Sequence, residues 1–243
     1  MASPNHILLV HPLGYAPELA TADVSRMANI MPPLGLASIA AVLDQNKISN
    51  AIIDCHCHPD SHTLIMDYIK KKSIGFIGFS CTTSSFLDGI RIAKQIKQVN
   101  PEIRTVFGGP HASALRESLM ETFEVIDYLI IGEGEVALTE LLFSLGKNLD
   151  NIPGLVFRDA PGRVKFTGFR KNLLDMDSLP FPAYKKLAGY PGAYKLPIFN
   201  YPKAPNSTVV SHPVVAPMHA PIVTDLFLNG PLGIIQLNIY FPM

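Results

Sequence analysis

Two runs of residues stop at glycines in places where proteins commonly hold ligands. Thr105-Val106-Phe107-Gly108-Gly109-Pro110-His111-Ala112 and Tyr128-Leu129-Ile130-Ile131-Gly132-Glu133-Gly134-Glu135 each begin as a short apolar stretch, halt at glycines and pass into a helix-compatible segment. Buried parallel strands read this way, and in open α/β sheets ligands bind just beyond the carboxyl ends of such strands. Glycine at those ends lets the backbone approach a bulky group, because no Cβ intervenes. The pattern predicts a cofactor site built from loops. A third tract, Asp54-Cys55-His56-Cys57-His58-Pro59-Asp60, gathers soft and borderline metal ligands. Alternating residues after a strand point to opposite faces, so at most two of these side chains converge. No second ligand cluster completes the set, and no metal site is expected.

The elements that position these loops alternate regularly. His6 to Val10 is an apolar run ending at Pro12 and Gly14, and Pro32-Pro33 opens a helical pattern through Leu34, Leu36, Ala37, Ile39, Ala40 and Leu43. Asn50 to Asp54 reads as a second strand, and Leu64, Ile65, Tyr68 and Ile69 mark the next helix face. Ile74 to Phe79 is a third strand, followed by Ser80-Cys81-Thr82-Thr83-Ser84-Ser85. Leu87, Ile90, Ile92, Ala93 and Ile96 then carry helical spacing until Asn100-Pro101 stops it. The two glycine-terminated runs supply strands four and five, and Val136 to Leu145 forms a helix capped by Gly146. Five strands alternating with five helices predict an α/β fold: a doubly wound, five-stranded parallel sheet with right-handed crossovers and a flavodoxin-like strand order. After Asn148 the texture changes. Gly154 to Arg158, a turn at Pro161-Gly162, and Val164 to Phe166 read as a small β-hairpin. Asp175 to Pro182 is a proline-punctuated linker, and Ser207 to Ser211 begins another strand.

Composition excludes several classes. The chain has 243 residues, 48% hydrophobic, with a formal net charge of zero. That balance carries no nucleic-acid footprint. The amino terminus lacks a positive n-region and no apolar run is long enough to span a bilayer, so neither a leader nor a membrane partner is expected and the cytoplasm is the natural compartment. Cys55, Cys57 and Cys81 are the only cysteines, too few and too odd in number for a disulfide framework. Nothing in the sequence sets an oligomeric state.

Five short motifs carry a family resemblance. Pro32-Pro33-Leu34-Gly35-Leu36, Gly108-Gly109-Pro110-His111-Ala112, Gly132-Glu133-Gly134-Glu135, Ile152-Pro153-Gly154-Leu155 and Leu179-Pro180-Phe181-Pro182 occur in the order and spacing seen in cobalamin-binding radical SAM proteins. That group includes the anaerobic cyclases of tetrapyrrole synthesis and many class B methyltransferases, and the resemblance covers about residues 6 to 211. It implies cobalamin as a small-molecule cofactor, with the corrin over the carboxyl ends of the strands and a slot between sheet and helix for the nucleotide tail. Gly108, Gly109, Pro110 and His111, with Gly132, Glu133 and Gly134, would flank the corrin. Ser80, Thr82, Thr83 and Ser84 would serve the ribose, phosphate and amide groups of the tail. Leu13, Gly14, Pro33 and Leu34 would form an apolar lip. By this reading residues 1–146 are the cofactor domain, and 147–211 the hairpin and linker toward a radical SAM barrel.

The chain departs from the family in two places. Cobalamin domains of the methionine synthase type carry Asp-x-His-x-x-Gly, whose histidine ligates cobalt, whereas the first strand here ends Val10-His11-Pro12-Leu13-Gly14. His11 and His111 both lie at expected strand ends, so either could approach the corrin, while hydrogen bonding of a loop histidine to backbone is the ordinary role for each. In the family, a strand such as Ser207 to Ser211 leads into a Cys-x3-Cys-x2-Cys cluster that holds an iron-sulfur center and S-adenosylmethionine. No cysteine follows Cys81, so the chain is expected to bind without catalyzing, those two cofactors belonging to the intact parent. From His212 to Met243 Asp225 is the single charged residue, while prolines recur without periodicity. Back-translation of His212 to Thr224 from the third base of the His212 codon permits Ser-Arg-Gly-Cys-Pro-Tyr-Ala-Cys-Thr-Tyr-Cys-Asp, the absent motif in its expected place. Residues 212–243 are therefore expected to be out-of-frame translation of a gene for a longer enzyme. Two rival expectations are a stand-alone cobalamin carrier or sensor, and a flavodoxin-like nucleotide or phosphate binder. The second lacks a Gly-x-Gly-x-x-Gly or phosphate-loop lysine pattern.

Overall fold

Strand β1 (His6–His11) is apolar at every interior position, and Ile7, Leu8, Leu9 and Val10 are at most 1% exposed. A strand buried on both faces must lie inside a sheet that is covered on both sides. The computed structural model, which describes residues 6–14, 31–58, 60–171 and 178–194, places it so. β1 pairs in parallel with β2 (Ser49–Asp54) on one side and β3 (Phe76–Ser80) on the other, and β4 (Arg104–Gly108) and β5 (Tyr128–Ile130) continue outward, also in parallel. The order β2-β1-β3-β4-β5 is the doubly wound, flavodoxin-like arrangement expected from the alternation.

Period-two alternation then sends side chains to two cores. Ile7 and Leu9 face α1 (Leu34–Gln45) and α6 (Gly134–Ser144), packing with Leu36, Ala40, Leu43, Leu138 and Leu141. Leu8 and Val10 face α2 (Ser61–Lys71) and α3 (Phe86–Val99), packing with Ile65, Ile90, Ala93 and Ile96. Between β4 and β5 the chain forms two short helices, α4 (Pro110–Leu115) and α5 (Glu117–Thr122). Arg116 divides them with a positive φ of 47°, which an α-helix cannot contain, and its guanidinium lies 5.4 Å from the Phe169 ring. Helix α6 ends one residue earlier than its glycine suggests: Leu145 is already left-handed and Gly146 follows it.

The hairpin forms as expected, with β6 (Leu155–Ala160) and β7 (Arg163–Phe166) joined by a turn at Gly162. It is not an appendage to the sheet. β6 pairs antiparallel with β5, Tyr128 opposite Phe157, so the sheet has seven strands. Residues 178–194 then run back across the α1 side. Ala183 donates its N–H to Ala37 O at 2.9 Å, Leu187 is buried in that core, and Lys186 Nζ reaches Asp44 Oδ1 at 2.6 Å and Asn50 Oδ1 at 2.7 Å. No helix among the described residues is long and apolar enough to cross a membrane. The expected strand at Ser207 to Ser211 and the tail 212–243 lie outside the described residues.

Candidate functional site

The chain leaves β1 for β2 on one side and then crosses to β3 on the other. The two exits diverge, and a crevice opens at the carboxyl ends of β1 and β3, the place where open α/β sheets bind ligands. Its walls are the loop Pro12–Gly14 after β1 and the loop Ser80–Ser85 after β3. A Cβ on Gly14 would stand 3.4 Å from Ser84 Oγ, which fixes how close the walls come.

The β3 loop is held by its own hydroxyls. Ser85 is buried and its Oγ accepts the Thr82 N–H at 3.0 Å, while Thr82 Oγ1 lies 3.0 Å from Ser84 Oγ. Thr82, Thr83 and Ser84 remain exposed, so their polar edges face outward, and Ser80 is half-buried below them. Thr83 Oγ1 lies 3.2 Å from His111 Nδ1, which ties this loop to the start of α4, and the His111 ring rests on Phe86 at 4.5 Å between centroids.

The adjacent glycines of the β4 loop differ in physical role. Gly109 has φ 93° and ψ −175°, a region essentially reserved for glycine, and a Cβ there would lie 2.7 Å from Cys81 O. Gly109 is therefore required by the contact between the β3 and β4 loops. Gly108 has no such constraint: a Cβ there would make an ordinary contact, 3.6 Å from Ile130 O. Beyond β5, Gly132 has φ 80° with open space where its Cβ would be, and donates its N–H to Ser113 Oγ at 3.0 Å. Pro110, Gly132 and Glu133 are exposed, and Gly134 and Ile39 bring α6 and α1 together, with 2.8 Å between a Cβ on the glycine and Ile39 Cδ1. Pro33 and Leu34 open α1, half-buried. Leu13 differs from its expected place on a lip: it is 1% exposed, part of the core beneath the loop.

Two buried carboxylates organize the rim, and sequence reading missed the role of both. Asp54 Oδ1, at the end of β2, lies 3.0 Å from His11 Nδ1 and accepts the His56 N–H at 3.1 Å. Burial opposes its ionization, yet these hydrogen bonds outweigh burial and hold the carboxyl below its ordinary 3.8. Burial first, and Asp54 beside it, push the Cys57 thiol up to about 11, so the thiol is protonated at neutral pH. Asp88, in the first turn of α3, lies within bonding distance of three donors: Leu13 N–H at 2.8 Å, Arg91 at 2.8 Å and His62 Nε2 at 3.1 Å. Burial raises its pKa, but the bonds from His62, Arg91 and Leu13 more than offset that. No local spacing could have paired Asp88 with Leu13, because the two are 75 residues apart. Among the described residues no group of three or more His, Cys, Asp or Glu side chains is placed to hold a metal ion.

Among the described residues the loop ends of the sheet form an exposed edge. Two shallow grooves, of about 340 and 400 Å³, are lined elsewhere, by residues such as Leu87, Lys94 and Phe123 or Met120 and Arg158. Exposed hydroxyls at Thr82, Thr83 and Ser84 and the open face at Gly132 offer polar groups and backbone to a ligand.

Known proteins resemble the chain in sequence and in fold. The sequence model of the B12 binding domain matches residues 20–142, just over half of the chain. An uncharacterized methyltransferase of Pyrococcus horikoshii is 33% identical over 158 residues, 64% of this chain and 34% of its own length. The anaerobic magnesium-protoporphyrin IX monomethyl ester cyclase of Rubrivivax gelatinosus is 23% identical over 181 residues, 71% of this chain and 31% of its own. Among solved structures, the cobalamin-dependent S-adenosylmethionine radical enzyme OxsB, with aqua-cobalamin and S-adenosylmethionine bound, superimposes with a TM-score of 0.59 at 18% identity, over 74% of this chain and 24% of that one. The radical S-adenosylmethionine methyltransferase TsrM from Kitasatospora setae gives 0.55 at 21% identity, over 68% and 30%. The chain spans about a third of the length of the curated relatives it matches.

Proposed function

The chain belongs to the B12-binding domain family, and from that premise we propose that it holds cobalamin across the carboxyl edge of its sheet. The observation that carries the reading is Gly108, where the fold itself makes room for a Cβ and the chain supplies none. Bound cobalamin would supply an organometallic center able to carry a methyl group or assist radical chemistry. This chain's residues bind and orient. Gly108, Gly109, Pro110 and His111, with Gly132, Glu133 and Gly134, would flank the corrin. Ser80, Thr82, Thr83 and Ser84 offer hydroxyls and amides to the nucleotide tail at the β1/β3 crevice. Gly14, Pro33 and Leu34 border it. Leu13 lies beneath this border, its side chain in the core and its N–H held by Asp88.

Residues 1–146 make up the proposed cofactor domain, and 147–211 the hairpin and linker that leave it. TsrM has been solved with cobalamin and a [4Fe-4S] cluster bound, and OxsB with aqua-cobalamin and S-adenosylmethionine bound; the role proposed for this chain is binding.

Incubation of the purified chain with aquacobalamin, followed by desalting, tests the reading. One equivalent of corrin absorbance per chain is expected to remain, and Gly108→Ala should weaken retention by roughly tenfold or more while leaving thermal stability unchanged. Failure of the unaltered chain to retain any corrin would overturn the proposal.

A further inference from the structure

Only 2% of the Asp88 side chain is exposed, yet it is an anion, and its three donors come from three different parts of the molecule. Arg91 lies one turn along the same helix and His62 comes from α2; these two supply the positive and polar surroundings a buried carboxylate needs. The third donor is of another kind. Leu13 N–H belongs to the backbone of the loop that leaves β1, and at 2.8 Å it is a charge-assisted bond to Oδ2, the oxygen that His62 and Arg91 leave available. Next to it, a Cβ on Gly89 would stand 3.4 Å from Pro12 Cγ, so the first turn of α3 abuts the same loop through an atom-wide gap. Helix α3 itself continues directly from Ser80–Ser85, the opposite wall of the crevice. One carboxylate thus joins the two walls, and Gly14, one residue beyond the bond, is the residue that meets Ser84.

We propose that Asp88 is a positioning residue for cobalamin: by holding the Leu13 N–H it fixes the separation of the β1 and β3 loops before the cofactor arrives. This rests on the cobalamin reading above. Preorganized binding loops lose affinity when the group that supports them is altered, even though that group never touches the ligand. Asp88→Asn keeps the shape and one acceptor oxygen but turns an amide NH2 toward a field of donors, so the Leu13 bond is lost or shared. Arg91→Gln removes a charge partner and leaves the Leu13 bond in place.

The test compares the full chain with these two variants by cobalamin titration, thermal unfolding and hydrogen exchange at the Leu13 and Gly14 amides. Asp88→Asn is expected to bind about tenfold more weakly and to exchange the Leu13 amide about tenfold faster. Arg91→Gln is expected to bind within about twofold of the unaltered chain, whatever its thermal midpoint. Equal affinity in Asp88→Asn, or affinity that simply follows the thermal midpoint across both variants, overturns the assignment. Exchange in the unaltered, cofactor-free chain tests the bond on which the assignment stands even if Asp88→Asn does not fold. A Leu13 amide protected about a hundredfold over an open chain supports the assignment, and an unprotected one overturns it. Because that measurement needs no cobalamin, a chain that fails to retain the cofactor counts against the proposed function and leaves the role of Asp88 to be judged separately.

Discussion

Gly108 and Gly109 stand side by side in the sequence and answer to different forces. Gly109→Ala drives a Cβ to 2.7 Å from Cys81 O at a backbone conformation only glycine adopts. It is expected to cost about 2–4 kcal/mol of stability, measured by urea unfolding. Gly108→Ala should cost less than about 0.5 kcal/mol in the same measurement, so its effect is confined to the cofactor. The sequence marks both as loop glycines and no more, because what separates them is a backbone 28 residues earlier. The same limit hid the rim carboxylates. Asp54 reads as part of a ligand-rich tract, but its partner His11 is set opposite it only by strand register. Loop hydroxyls at Thr82, Thr83 and Ser84 were legible, since a polar run directly after an apolar strand marks the point where the chain leaves the core for solvent.

At the level of elements, the strap formed by residues 178–194 is the part that chain order says least about. Lys186 holds it through an ion pair to Asp44 and bonds to both the side chain and carbonyl of Asn50. Lys186→Met is expected to speed proteolytic cleavage within 178–194 several-fold while changing global stability by less than about 1 kcal/mol, read by limited proteolysis beside a urea melt. The five parallel strands were legible because each is a short apolar run bounded by breakers, and their order follows from right-handed crossovers. The hairpin was legible as a hairpin, but its pairing with β5 depends on which sheet edge is open, a property of the assembled sheet. The division of α4 from α5 left no mark either, since Arg116 is an ordinary helix former.

For the whole molecule, three buried or half-buried groups bias stability in one direction as pH falls. His6 is held below its ordinary 6.5 by burial and then by Lys72 and Lys186, so the unfolded chain binds its proton first and stability declines as pH drops below about 6.5. Asp54 and Asp88 sit below their ordinary 3.8, so their contributions are intact above that value and are lost as pH falls through the lower folded values. The urea midpoint should therefore fall in two stages between neutral and strongly acid pH, and Asp54→Asn should shrink the second stage. The two margins of the seven-stranded sheet show one further property. β7 is four residues long and turns Arg163 and Lys165 to solvent, and at the other margin Lys186 occupies the Asn50 carbonyl of β2. Cationic, short or occupied margins are poor templates for a neighboring chain. These two margins should accordingly give little template for edge-to-edge fibril growth.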